Sequence, residues 1–201
     1  MSGMSEVIIS VPHFKKAPHE TVDHEHPYDA AAGNLADHIK FSLTKCLADV
    51  KIRRGDVPRS EMDLNRRESR DSDWRKKTRE DVEKGKTLLV DVHSFGKSSK
   101  FAEFDVVVMD KSDSEEKDLQ DEIVDNLKKM GYKVGKYRAD PLINDIYRDI
   151  VTEQGARDGV LIEMNEDLKE KSPQIAALIG QGVCNSFKKY YKEHPPLIMV
   201  E

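Results

Sequence analysis

Four short apolar runs constrain this chain more than any other feature. They are EVIISV (Glu6 to Val11), TLLVDV (Thr87 to Val92), FDVVVMD (Phe104 to Asp110) and GVLIEMN (Gly159 to Asn165). Continuous apolar runs rich in β-branched residues are the pattern of strands buried on both faces, the condition of a parallel sheet covered by helices. VKIRR and YKVGKYR read as two further, weaker strands. The stretches between them supply the helices. Leu35, Ile39, Leu43, Cys46 and Leu47 recur at helical spacing, with Asp29 as the expected N-cap. Asp73 is expected to cap a polar helix through WRKKTREDVEKG that stops at Gly85, and further helices are expected over about 114–130, 142–154 and 173–192. Alternating strands and helices predict an α/β fold, a three-layer α/β/α sandwich on a mostly parallel mixed sheet.

At 201 residues the chain suits one domain, residues 1–201, with a sizeable core. Its net charge of -5 comes from both signs mixed along the sequence, without the basic stripe that nucleic-acid binding requires. No apolar run approaches the roughly 18 residues of a membrane span. The N-terminus has no basic region leading into a long apolar one. A soluble, cytoplasmic protein with neither nucleic-acid nor membrane partners is expected. The cysteines Cys46 and Cys184 lack C-x-x-C spacing and read as buried free thiols.

Polar residues capable of chemistry stand at the ends of three strong strands: His13 after the first, His93 after TLLVDV, and Glu163 within GVLIEMN. Parallel strands end on one edge of a sheet, where open α/β folds bind their ligands. Residues far apart in sequence can therefore converge there. Imidazole and carboxylate are ordinary zinc ligands, and a catalytic zinc site uses three of them plus a water. The metal acidifies that water and polarises a carbonyl, while a nearby carboxylate serves as base and then proton donor. Asp91, two residues before His93, shares its side of the strand and is placed to orient the imidazole.

Four segments carry a family resemblance: SVPH (Ser10 to His13), DLNR (Asp63 to Arg66), DVHSF (Asp91 to Phe95) and IEMN (Ile162 to Asn165). In their order and spread the chain resembles the N-formylglutamate amidohydrolase family and, more remotely, the zinc carboxypeptidases that share its fold. The resemblance implies a Zn2+-dependent amide hydrolase with metal-bound water as nucleophile, His13 and His93 as metal ligands and Glu163 as general base. It also implies that Arg66 with Asn65 holds a substrate carboxylate, a role suited to the bidentate guanidinium fork. Arg54, Arg59, Arg67 and Arg70 are alternatives, one of which would face the developing oxyanion. A third ligand is expected from the acids between His13 and the following helix: Glu20, Asp23, Glu25 or Asp29. Glu25 is favoured because it leaves Asp29 free to cap. His19, His24 and His26 lie in the same loop. The chain is short for this family and has PHFKK where the family continues PH-S-G.

The expected substrate is a small acidic N-acyl amino acid or a short peptide. A zinc peptidase, a cell-wall amidase and an inactive binding protein on the same fold are the alternatives. A nucleotide-binding domain would need a glycine-rich turn after the first strand, and VPHFKKAPH has none.

Overall fold

The computed structural model describes residues 6–17, 29–44, 49–110, 118–140 and 144–193. The strands are β1 (Glu6–Val11), β2 (Asp49–Arg54), β3 (Leu88–Phe95), β4 (Val106–Asp110), β5 (Val134–Arg138) and β6 (Asp158–Asn165). They form one six-stranded sheet in the order β2-β1-β3-β6-β4-β5. The pairs β1 with β2, β1 with β3, and β3 with β6 are parallel, whereas β4 runs antiparallel to β6 and carries β5 parallel to itself. The α/β class and mostly parallel mixed sheet expected from the apolar runs are thus observed.

The period of two along each strand builds the layers. Val7, Ile9 and Val11 of β1, Leu88, Val90 and Val92 of β3, and Val160, Ile162 and Met164 of β6 face α1 (Ala32–Leu43), α3 (Asp118–Lys129) and α5 (Ser172–Glu193). Ile8 and Leu89 point the other way, onto Leu64, Trp74 of α2 (Asp73–Glu80), and Ile146, Tyr147 and Ile150. The last group lies on α4 (Asp145–Tyr147) and its continuation Arg148–Glu153, a wider π-helical turn. Ser10, Asp91, His93 and Glu163 fall on this second face by the same alternation. From β1 the chain crosses by α1 to β2 on one side, then by α2 to β3 on the other. The carboxyl ends of β1 and β3 therefore flank a topological switch point, the usual ligand crevice of such sheets.

Several local expectations are corrected. Helix α1 begins at Ala32 with Ala31 as N-cap and no side-chain capping bond, because the Asp29 carboxylate is engaged elsewhere. Helix α2 is capped by Ser72, whose side chain accepts from the Arg75 N–H, rather than by Asp73. It ends at Glu80, and Gly85, at φ 74°, turns the chain toward β3 and donates its N–H to the Gly155 carbonyl. The helix expected over 142–154 is the short α4 followed by the π turn, where Gln154 N–H reaches back five residues to Asp149 O at 2.8 Å. Cys184 on α5 is disulfide-bonded, not a free thiol, while Cys46 lies outside the described residues. Among the described residues no helix is long and apolar enough to cross a membrane.

Candidate metal centre and its cavity

The register sets the first contacts. Ser10 is level with Asp91, and two residues further along His93 is level with Glu163. Ser10 donates its hydroxyl to Asp91 Oδ1, leaving Oδ2 to meet His93 Nε2 at 3.1 Å. Asp91 thus orients His93 from the position that the strand period assigns to it. His13 lies just past the end of β1, and its Nε2 meets Asp63 Oδ1 at 2.8 Å. Both rings are buried, with centroids 5.0 Å apart.

With each Nε2 engaged by its own carboxylate, the two Nδ1 atoms turn to a shared point. Asp29 Oδ2 lies 3.2 Å from His13 Nδ1 and 2.9 Å from His93 Nδ1. His13, Asp29 and His93 are a group whose ligand atoms lie close enough together to hold a metal ion. Zinc bound tetrahedrally at about 2.0–2.2 Å separates its ligand atoms by roughly 3.3 Å, so the donor set fits zinc in kind and spacing. A carboxylate behind each ligating imidazole is the usual support of such a site, since it sets the tautomer and the ring orientation.

The turn bearing Asp29 is itself braced. Asp29 N–H donates to His13 O at 3.0 Å, Ala31 N–H to Ser94 Oγ at 3.3 Å, and Ala30 N–H to Glu166 Oε1 at 3.2 Å. Ser94 in turn donates to Glu166 Oε1 at 3.0 Å.

Electrostatics follow from burial among opposite charges. Burial alone would raise the Asp29 carboxyl, but the charges and hydrogen bonds of His13 and His93 overcome it and hold Asp29 well below the usual carboxylate range. Asp63 behaves alike: burial is outweighed by His13, with help from Arg59 and the Asn65 N–H. Burial opposes charge on His93, yet Asp91 and Asp29 lift its pKa well above the ordinary imidazole value. Glu163 differs in having no such rescue. Burial dominates and pushes its carboxyl up to about 7, with His93 the leading opposing influence.

These residues open onto a cavity of about 90 Å³. It is lined by His13, Asp29, His93 and Glu163 together with Arg59, Asp63, Asn65, Arg66, Ser94 and Asn144. Arg59 and Arg66 both bring Nε to 3.3 Å from Asp63 Oδ2. The fold therefore brings His13, His93, Glu163, Asn65 and Arg66 to one place. Glu25, together with Glu20, Asp23, His19, His24 and His26, lies outside the described residues; of the acids in that window, Asp29 is the one described, and it is at the imidazoles. Among the alternative arginines, Arg59 reaches the cavity, whereas Arg54 pairs with Asp37 and Arg70 with Asp145.

Sequence reasoning gave no role to Asp63, Ser94 or Asn144. The first two sit inside the DLNR and DVHSF segments and could have been weighed there. Asn144, in a loop of no distinctive pattern, offered no signal.

No protein-family model matches the chain. No curated protein matches it. Among solved structures it is similar to the gene product Atu2144 from Agrobacterium tumefaciens, with 14% identity, TM-score 0.63, and coverage of 91% of this chain and 90% of that one. It is also similar to N-formylglutamate amidohydrolase from Ralstonia eutropha JMP134, with 13% identity, TM-score 0.62, and coverage of 94% and 96%. A third similar structure is the catalytic domain of CwlV, an N-acetylmuramoyl-L-alanine amidase from Bacillus (Paenibacillus) polymyxa, with 14% identity, TM-score 0.58, and coverage of 94% and 99%. At such identities the likeness establishes a shared α/β fold.

Proposed function

We propose that this chain is a single-domain, zinc-dependent cytoplasmic hydrolase that cleaves the amide bond of a small N-acyl amino acid resembling N-formylglutamate. The observation that carries the reading is the convergence of His13 Nδ1, Asp29 Oδ2 and His93 Nδ1 beside Glu163 in one polar cavity. The fold shared with an N-formylglutamate amidohydrolase supports it.

His13, Asp29 and His93 would hold the zinc, which would supply a Lewis acid for the scissile carbonyl and for water. Asp63 and Asp91 engage the two Nε2 atoms, which leaves each Nδ1 available as a ligand. Glu163 takes a proton from the attacking water and returns it to the departing amine nitrogen. Arg66 and Asn65 hold the substrate carboxylate, and Arg59, on the same wall, donates to the oxyanion as it develops.

One observation favours a second reading. A disulfide such as that of Cys184 belongs to oxidising compartments. The same chemistry outside the cytoplasm suits a cell-wall acyl-amino-acid bond, like the one for which the structurally similar CwlV domain is named.

The test is elemental analysis of protein purified without chelator, with His93→Ala and Glu163→Gln beside it, followed by turnover of N-formyl-L-glutamate and N-acetylmuramoyl-L-alanine. One zinc per chain is expected in the parent protein and in Glu163→Gln, and none in His93→Ala. Turnover should fall at least about 10²-fold in Glu163→Gln and vanish with the metal. The preferred substrate separates the two readings. Failure to bind zinc when it is supplied overturns both.

A further inference from the structure

Asn144 forms part of the cavity wall, immediately before α4, and is 9% exposed. Its backbone N–H is satisfied by Asp140 O at 2.8 Å. Its side chain is oriented by a relay that starts in α4. The Ile146 N–H requires an oxygen and finds Asn65 Oδ1 at 3.4 Å. Asn65 therefore turns Nδ2 outward, where it donates to Asn144 Oδ1 at 3.1 Å. Asn144 spends its oxygen on that bond, and its Nδ2, with two N–H donors, has no acceptor among the described residues.

A largely buried side chain in the cavity lining whose amide N–H groups have no protein acceptor is a donor that a ligand oxygen can take up. Its surroundings specify what kind of oxygen. Asn65 offers a further amide donor, and Arg59 and Arg66 are donors without acceptor capacity. Of the acids in the lining, Asp63 is engaged by His13, Arg59 and Arg66 and Asp29 by His13 and His93, which leaves Glu163, the proposed base. A carboxylate, which only accepts, matches the donors Asn65, Asn144, Arg59 and Arg66. A carboxamide would set its own N–H groups against other donors.

We infer that Asn144 is a specificity-determining residue whose side-chain N–H donates to an oxygen of the substrate's free carboxylate, so that the site selects acids over the corresponding amides. The inference rests on the hydrolase reading above and deepens it with a residue outside the segments that carry the family resemblance.

The experiment compares N-acetylglycine with N-acetylglycinamide, which differ only in that group, by calorimetric titration of zinc-loaded Glu163→Gln protein. The acid should bind at least about tenfold more tightly than the amide, the scale of a hydrogen bond to a charged group. Adding Asn144→Asp, which places an acceptor where the donor was, should close or reverse that ratio while zinc content is unchanged. Asn144→Ser, which keeps a small donor, should retain most of it. The same ratio in the parent and in Asn144→Asp overturns the inference; the hydrolase reading then stands on turnover of N-formyl-L-glutamate by the unmodified protein. Binding of neither compound together with absence of that turnover overturns both.

Discussion

Two clusters of charge lie on the same face of the sheet and are built on opposite terms. The first joins Arg70, Arg75 and Arg79 to Asp145, Asp149 and Glu153. Arg70 grips both Asp145 oxygens at 2.7 Å and reaches Glu153 at 2.9 Å. Arg75, fully buried, bridges Asp145 at 2.9 Å and Asp149 at 2.7 Å and also donates to Leu64 O at 3.1 Å. Arg79 closes the row on Asp149 at 2.9 Å. Arg148 adds a further contact to Glu153 at 3.2 Å, so that four guanidinium groups meet three carboxylates and each of these charges has its partner inside the protein. The second cluster gathers Asp29, Asp63, Asp91 and Glu163 about two imidazoles, and two of its carboxylates are held ionised by those rings. His13 and His93 each face two carboxylates, and Arg59 and Arg66 reach Asp63 as well. On the proposed reading, a cation would sit at the point the two imidazoles share with Asp29. The first cluster is closed within the protein, whereas the second lines an open cavity.

The clusters are also joined in sequence. Arg75 holds the carbonyl of Leu64, the residue between Asp63 and Asn65, and Asp145 N–H donates to Asn65 O at 3.0 Å. The closed cluster is the foundation on which one wall of the cavity stands.

The sharpest way to break the comparison is to remove one charge from the closed cluster. Arg75→Met leaves Asp145 and Asp149 buried with half their partners. It should lower the unfolding free energy by about 3–5 kcal/mol in urea titrations. His93→Ala measured in chelator should cost far less, because the parent protein then lacks the cation as well. Equal losses would show that the metal cluster is as structural as the other.

A smaller effect is expected from Asp91→Asn. The ring of His93 loses the charge behind it, and zinc affinity in a competitive chelator titration should fall about 10–100-fold with the melting behaviour little changed. An affinity as tight as that of the parent would mean that the strand alone holds the imidazole in place.

The smallest effect is on acid stability. Burial would raise the Asp145 carboxyl, but the hydrogen bonds and charges of Arg70 and Arg75 hold it below its ordinary 3.8. A carboxyl whose folded pKa is depressed contributes stability fully above its unfolded value and loses it as the pH falls through the folded one. Below about pH 4 the unfolding free energy should decline. Asp145→Asn, though less stable throughout, should show a shallower decline. Parallel pH curves for the two proteins would place the acid sensitivity elsewhere, with Asp29 and Asp63 the first candidates.

Much of this was legible from sequence where one local rule sufficed. Asp91, His93 and Glu163 sit on strands whose apolar runs are unambiguous, so the period of two placed them on one face and the parallel edge brought them together. Asp29 is one of four acids open for the third position and reads as an N-cap, because an Asp shortly before a helix resembles one. In the fold it stands between the two imidazoles instead of capping α1, while Glu25 lies outside the described residues. Asp63 and Asn144 meet partners 50 and 79 residues away in loops without periodicity, where no local signal reports the path of the chain.

The amino-acid sequence by itself determined the strands, the layers and the edge at which His13, His93 and Glu163 collect, because burial and periodicity act over a few residues. Only the tertiary structure decided which nitrogen of each histidine faces the shared point, that Asp29 joins them, that β4 and β5 run opposite to the other strands, and that Asn144 lines the cavity beside Asn65. Those outcomes depend on distances of a few tenths of an ångström between segments far apart in the chain, and such distances are set by packing rather than by any one segment's pattern.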